Sequence, residues 1–254
     1  MSVHVPFKAG QRAEGGTLSA RLVAEVREAV FEKRLKPGDF LGTEKDIAHR
    51  ANVSRMAARD ALRTLAALGV VEIKVGAGGG VRIAHGNPRQ FAEALAVQLD
   101  LAGISASEIL DAQRAVETLT AELAAEHATE AELAGLKRLL SVAEQQIDDV
   151  PAFTRASLDF HLAVAECSHN RVLAAQLWSL HHVSWPTRNP ALTRAVARHI
   201  LEIHRKLVEL IEARDGAAAR RLMDEHVKMI RARRTTQAGR GAALLNQIRK
   251  RRKP

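Results

Sequence analysis

The chain has no tyrosine, a single cysteine, and only 3% aromatic residues among its 254. One cysteine, Cys167, excludes an intramolecular disulfide framework. It sits among Ala163, Val164 and Ala165 and reads as a buried structural thiol rather than a reactive one. No apolar run reaches the length of a signal core or a bilayer span, so a soluble cytoplasmic protein is expected. Two catalytic signatures are also missing. There is no HExxH pair, and the glycine run at 76–80 lacks the Lys-Ser/Thr ending of a phosphate-binding loop and is not followed by a helix.

With so few rings, the core must come from Leu, Ala, Val and Ile within a hydrophobic content of 46%. That composition favours helices packed closely through small side chains, in about two domains for a chain of this length. The net charge of +9 is unevenly distributed. Residues 1–87 carry fourteen Lys/Arg against nine Asp/Glu, residues 88–234 carry eighteen against twenty, and residues 235–254 carry six against none. Both ends are thus suited to a polyanion, and the long middle is not.

The amino-terminal part is organised around residues 43–68. Thr43 is a capping residue ahead of Glu44, Lys45 and Asp46, with Ile47 and Ala48 giving a short apolar stripe. Ala51-Asn52-Val53 interrupts the pattern, and Ser54 can cap a second helix. Ala58, Ala61, Leu62, Leu65 and Leu68 form its buried stripe. Arg55, Arg59 and Arg63 lie at i, i+4 and i+8 on another line, with small Ala57 near its start. A basic line of this kind suits a DNA major groove; it is also what a solvated bundle helix presents.

An earlier helix is expected over 18–35, with Leu22, Val23, Val26, Val30 and Phe31 on one stripe and Pro37-Gly38 ending it; residues 1–17 read as a flexible leader. After Gly69, Val70–Val75 alternates like a strand, residues 76–80 form a glycine-rich turn, and Val81–Ala84 returns, a two-stranded wing. Residues 85–89 read as a linker. Six or seven antiparallel helices are expected over 90–234, followed by a disordered basic tail at 235–254.

Three histidines in the helical part share a spacing. His204 lies eleven residues before Asp215 and His226 eleven after it. If Asp215 caps the second of two antiparallel helices, each ring is roughly 16 Å from the hinge at about 1.5 Å per residue, and both stand at one level. His161, on another amphipathic stretch, can reach that level, which would bring three imidazoles to one divalent metal. Singly, each is also an ordinary partnered histidine.

Four segments in order, Leu35–Asp39, Thr43–Ala48, Val53–Leu62 and Gly78–Val81, resemble the GntR-type winged helix-turn-helix transcription regulators over residues 18–84. The resemblance implies a homodimer on a palindromic operator, with Arg55 and Arg59 on bases or phosphates, Lys45, Ser54 and Met56 nearby, and the wing near Gly76 against the minor groove or backbone. Residues 90–232 resemble the FCD-type effector domain of the FadR-like subfamily, through Arg114 and Glu117 (R-x-x-E), Phe160-His161, Asn170, His204, Asp215 and His226. That likeness implies a small carboxylate effector held by Arg114, with Asn170 close by, beside a zinc or nickel ion on His161, His204 and His226. Metal-binding members carry Asp or Asn four residues before the first histidine, where this chain has Ser157. Arg114 has an alternative, an ion pair with Glu117 or Asp111 on its own helix. Two further functions fit parts of the sequence: a metal-dependent enzyme built on the histidines, and an architectural DNA binder using the tail.

Overall fold

The computed structural model describes residues 17–76, 78–184 and 192–251. Most of the expected leader, residue 77 of the wing turn, and Trp185-Pro186 lie outside them. The protein is mainly α-helical, with a small antiparallel sheet in the first of two compact units, 1–91 and 92–254.

In the first unit, α1 (Leu18–Phe31), α2 (Glu44–Arg50) and α3 (Arg55–Ala67) pack through Leu22, Val26, Ile47, Ala58, Leu62 and Leu65. Thr43 opens α2 with a capping box, its hydroxyl accepting from the Asp46 amide while the Asp46 carboxylate accepts from the Thr43 amide at 2.9 Å. Ser54 opens α3, accepting from the Ala57 amide at 3.1 Å. Such a cap contributes about 1 kcal/mol. Asn52, at φ 50°, makes the turn between them in the left-handed region that Asn tolerates.

Three sequence expectations are corrected here. Helix α1 stops at Phe31, well before Pro37: Lys33 turns left-handed at φ 61°, and the Leu35 amide folds back to the Ala29 carbonyl at 3.0 Å, burying Leu35. Phe31 itself is 76% exposed, and Leu68, past the end of α3, is 57% exposed, so neither belongs to the core. The sheet has three strands, not two. β1 (Phe40–Gly42), β2 (Val71–Lys74) and β3 (Gly80–Ile83) lie in the order β1-β3-β2, with Phe40 opposite Arg82 and Ile73 opposite Val81. Gly80 cannot be replaced without strain, because at φ 141° a Cβ there would lie 2.5 Å from the Phe40 ring.

The second unit is built from α4 (Pro88–Leu101) beyond its first turn, α5 (Ala106–His127), α6 (Glu130–Gln145), α7 (Val150–Cys167), α8 (Arg171–Ser184), α9 (Arg194–Glu212) and α10 (Gly216–Arg251). Capping boxes at Ser105/Glu108 and Thr129/Glu132 start α5 and α6, and Asp149 caps α7. Small Ala121, Ala124 and Ala125 on α5 let its neighbours approach closely, and Gly216 of α10 sits against the Glu122 carbonyl of α5. The expected disordered tail is corrected as well: the backbone of α10 continues to Arg251. Ala, Leu, Gln, Arg and Lys all propagate helix, and basic residues suit its carboxyl end.

Candidate metal centre and nucleic-acid interface

Asp215 caps α10, its Oδ1 accepting from the Ala218 amide at 2.9 Å, so α9 and α10 turn back on each other there. The turn sets His204 and His226 level, and α7 supplies His161. Nε2 of His204 lies 3.2 Å from Nε2 of His161 and 3.2 Å from Nε2 of His226, and the third side of the triangle is 3.3 Å. All three rings are buried. Phe160 stacks on His204 with centroids 4.3 Å apart and fixes that ring's plane. Nitrogens held about 2.0–2.1 Å from one tetrahedral ion stand about 3.3–3.4 Å apart, so the triangle matches a three-histidine ligand set.

Burial, then the neighbouring rings, pushes His204 well below the ordinary imidazole value and His226 down to about 3. Uncharged rings are what a metal requires.

One helical turn from this layer, α7, α9 and α10 contribute Ser157, Ile200 and Ile230 to a cavity of about 50 Å³ that also touches His161 and Thr154. Ser157 is i−4 from His161, Ile200 is i−4 from His204, and Ile230 is i+4 from His226, so the cavity is the next layer of the same three-helix stack.

Glu117 of α5 stands behind the triangle at 5% exposure. Its Oε2 is 2.8 Å from Nδ1 of His161, off the axis of an ideal N–H···O bond, and its Oε1 is 3.4 Å from Nε2 of His181 on α8. Burial works to raise this carboxyl, but the facing imidazoles outweigh it and hold it below the usual range. Sequence reasoning placed Glu117 in an R-x-x-E element or as an ion-pair partner of Arg114, and passed over His181. The available signal was the run of Gln113, Glu117 and Thr120 along the otherwise apolar inner face of α5.

The two expected effector residues are not at this centre. Arg114 pairs with Asp224 of α10, rather than with Glu117 or Asp111, and lines an open cleft with Thr118, Arg220 and Arg221. Glu117, three residues on, faces inward instead. Asn170 caps α8, its Oδ1 accepting from the amides of Val172 and Leu173, both at 3.2 Å. It lies nine residues after His161, past the end of α7 at Cys167 and beyond the left-handed turn at His169. Cys167 is buried, and burial with the charges of Glu132 and Glu166 pushes its thiol up to about 12.

In the first unit, Arg55, Arg59 and Arg63 are exposed along α3, with Met56 63% exposed and Lys45 exposed on α2. Between α3 and the wing runs a groove of about 490 Å³, lined by Glu44, Arg59, Arg63, Lys74 and Gly76. Arg59 is held there by Glu44. Its Nε donates to Oε2 of Glu44 at 3.0 Å and its Nη2 to Oε1 at 3.1 Å, and Glu44 raises the guanidinium further above its ordinary value.

Comparison with known proteins agrees with this layout. The family profile described as bacterial regulatory proteins, gntR family, matches residues 18–81, and that of the FCD domain matches residues 108–229. The HTH-type transcriptional regulator LutR of Bacillus subtilis is 31% identical over 202 residues, 76% of this chain and 90% of LutR. The chain belongs to the GntR family. Within it, the Uxu operon regulator of Haemophilus influenzae is 29% identical over 202 residues, 77% of this chain and 74% of that protein. A solved GntR structure from Streptococcus agalactiae shares the fold with a TM-score of 0.57 at 20% identity, covering 84% of this chain and 99% of its own. As a GntR-family protein with an FCD domain, the chain is a DNA-binding transcription regulator and not an enzyme. None of its described helices is long and apolar enough to cross a membrane.

Proposed function

We propose that this GntR-family regulator works as a homodimer on a palindromic operator and is controlled by a small carboxylate that binds beside a divalent metal in the FCD domain. The nitrogen triangle of His161, His204 and His226 carries this reading. Zinc or nickel fits three neutral imidazoles, and a bound ion would offer an open position to a carboxylate. Ser157 and Thr154 would face that ligand from the adjoining cavity, with Ile200 and Ile230 against its apolar part. Arg114, tied to Asp224, is not part of the proposed effector contact.

On the DNA side, Arg55 and Arg59 would meet bases or phosphates, Lys45, Ser54 and Met56 would flank them, and the wing at Gly76 would approach the backbone. Ligand binding would act by shifting the balance between dimer arrangements. Calorimetric titration of zinc or nickel into chelator-stripped protein tests the centre. One ion per chain is expected, with binding lost in His204→Ala; a parent that takes up no ion refutes it. Operator shift assays with and without carboxylates, beside sedimentation of the free protein, test the remainder.

A further inference from the structure

Glu117 has an unusual position for a carboxylate. It is buried in a helical core where, among the described residues, it pairs with two imidazoles and with no lysine or arginine. The one arginine close to it in sequence, Arg114, is turned away to Asp224. The imidazoles offset the cost of burying that charge only in part by themselves, and a cation bound to one of them would offset more. The place for that cation is on the far side of one ring, because Glu117 meets Nδ1 of His161 while Nε2 of the same ring belongs to the nitrogen triangle.

We infer that Glu117 is the positioning anion of the metal centre and does through His161 what a carboxylate at position 157 would do directly. This deepens the metal reading above and rests on it. With Nδ1–H donating to Glu117, the Nε2 lone pair of His161 is committed to the ion, and the carboxylate's charge makes the ring a stronger donor. A small rotation of the ring aligns that bond. His181 holds the other carboxylate oxygen, so Glu117 is fixed from two helices, α7 and α8. Three neutral rings and Ser157 leave the full double charge of an ion in a dry site, and Glu117 halves it.

The test is a metal titration of stripped parent, Glu117→Gln, Ser157→Asp and the double variant, with melting temperatures before and after loading. E117Q is expected to weaken zinc binding about 10–100-fold. The gain in melting temperature on loading should shrink by comparison with the parent. S157D in the E117Q background should recover affinity. A merely structural Glu117 would lower the metal-free melting temperature alone, with an unchanged gain on loading and no rescue. Equal zinc affinity in parent and E117Q overturns the role of Glu117 and leaves the metal reading standing; a parent that binds no metal overturns both. The parent itself provides a check that needs no variant. Long-range proton–nitrogen NMR of the zinc-loaded protein should find His161 protonated at Nδ1 and bound through Nε2, and an unprotonated Nδ1 overturns the inference.

Discussion

Arg59 and Glu44 meet through two hydrogen bonds, one from Nε and one from Nη2, which fix the guanidinium plane in the lining of the groove between α3 and the wing. Two of its five N–H donors are thereby used, and those left point from a preset plane. The same carboxylate offsets the arginine's charge, so a bare phosphate gains less from it than a base edge that matches its geometry.

Arg59→Ala should therefore weaken operator binding about ten- to a hundredfold with the melting temperature almost unchanged, since the side chain is exposed and leaves no cavity. Glu44→Gln should act differently. It should raise affinity for random-sequence DNA and steepen its salt dependence by up to about 0.9 in the log–log slope, the value of one added phosphate contact. Equal operator affinity in Arg59→Ala and parent would remove this helix face from the interface.

Gly80→Ala should destabilise the first unit by about 1–3 kcal/mol, the usual cost of forcing extra volume into a packed site. The added methyl would meet the Phe40 ring and the Gly42 carbonyl at a backbone angle that side chains avoid. Thermal melting of that variant reads it directly. Among the described residues nothing would lie within 4 Å of a Cβ on Gly76, but its φ of 106° makes replacement strained there too.

Ser157→Asp should tighten zinc and at the same time lower affinity for a carboxylate, because the new side chain takes the ion's open position and adds a second negative charge beside the cavity. Competition of acetate against the zinc-loaded parent and variant, followed by calorimetry, separates the two effects. Unchanged zinc affinity would mean that position 157 does not reach the ion.

Metal-stripped protein should lose stability as the pH falls from about 6.5 toward 3. Folded His226 holds no proton until about 3, and burial likewise depresses His204, whereas both take one near 6.5 once unfolded. The unfolded state then binds more protons throughout that window, so acid favours it. Glu117 acts in the same direction below its ordinary value of 4.5. Melting temperature against pH, with and without zinc, should diverge below neutrality.

Deleting residues 235–254 removes six Lys/Arg and should flatten the salt dependence of random-DNA binding while preserving sequence preference. An unchanged slope would mean that this end of α10 does not touch DNA.

Much of this architecture was legible because it repeats with helical period. The stripe of Ala58, Ala61, Leu62 and Leu65 fixed the face of α3, and equal spacing about Asp215 fixed the level of His204 and His226. What escaped has no period to read. Three residues of β1 carry no alternation, and their strand exists only because Phe40 and Gly42 find Arg82 and Val81 some forty positions later. Phe31 looks like a core residue until the left-handed Lys33 ends the helix around it. The inward turn of Glu117 and outward turn of Arg114 depend on which helix lies on each side of α5, and spacing along one chain cannot supply that.

The three histidines come from rods that do not all run the same way: α7 and α9 share a direction, and α10 opposes them, as the offsets of Ser157, Ile200 and Ile230 from the ring layer require. An ion held there would act as a transverse pin. It would resist lengthwise sliding of α10 against its two neighbours while leaving rotation about the pinned layer comparatively free, so loading the centre would change which mechanical motions the helical unit can make before it changes its shape.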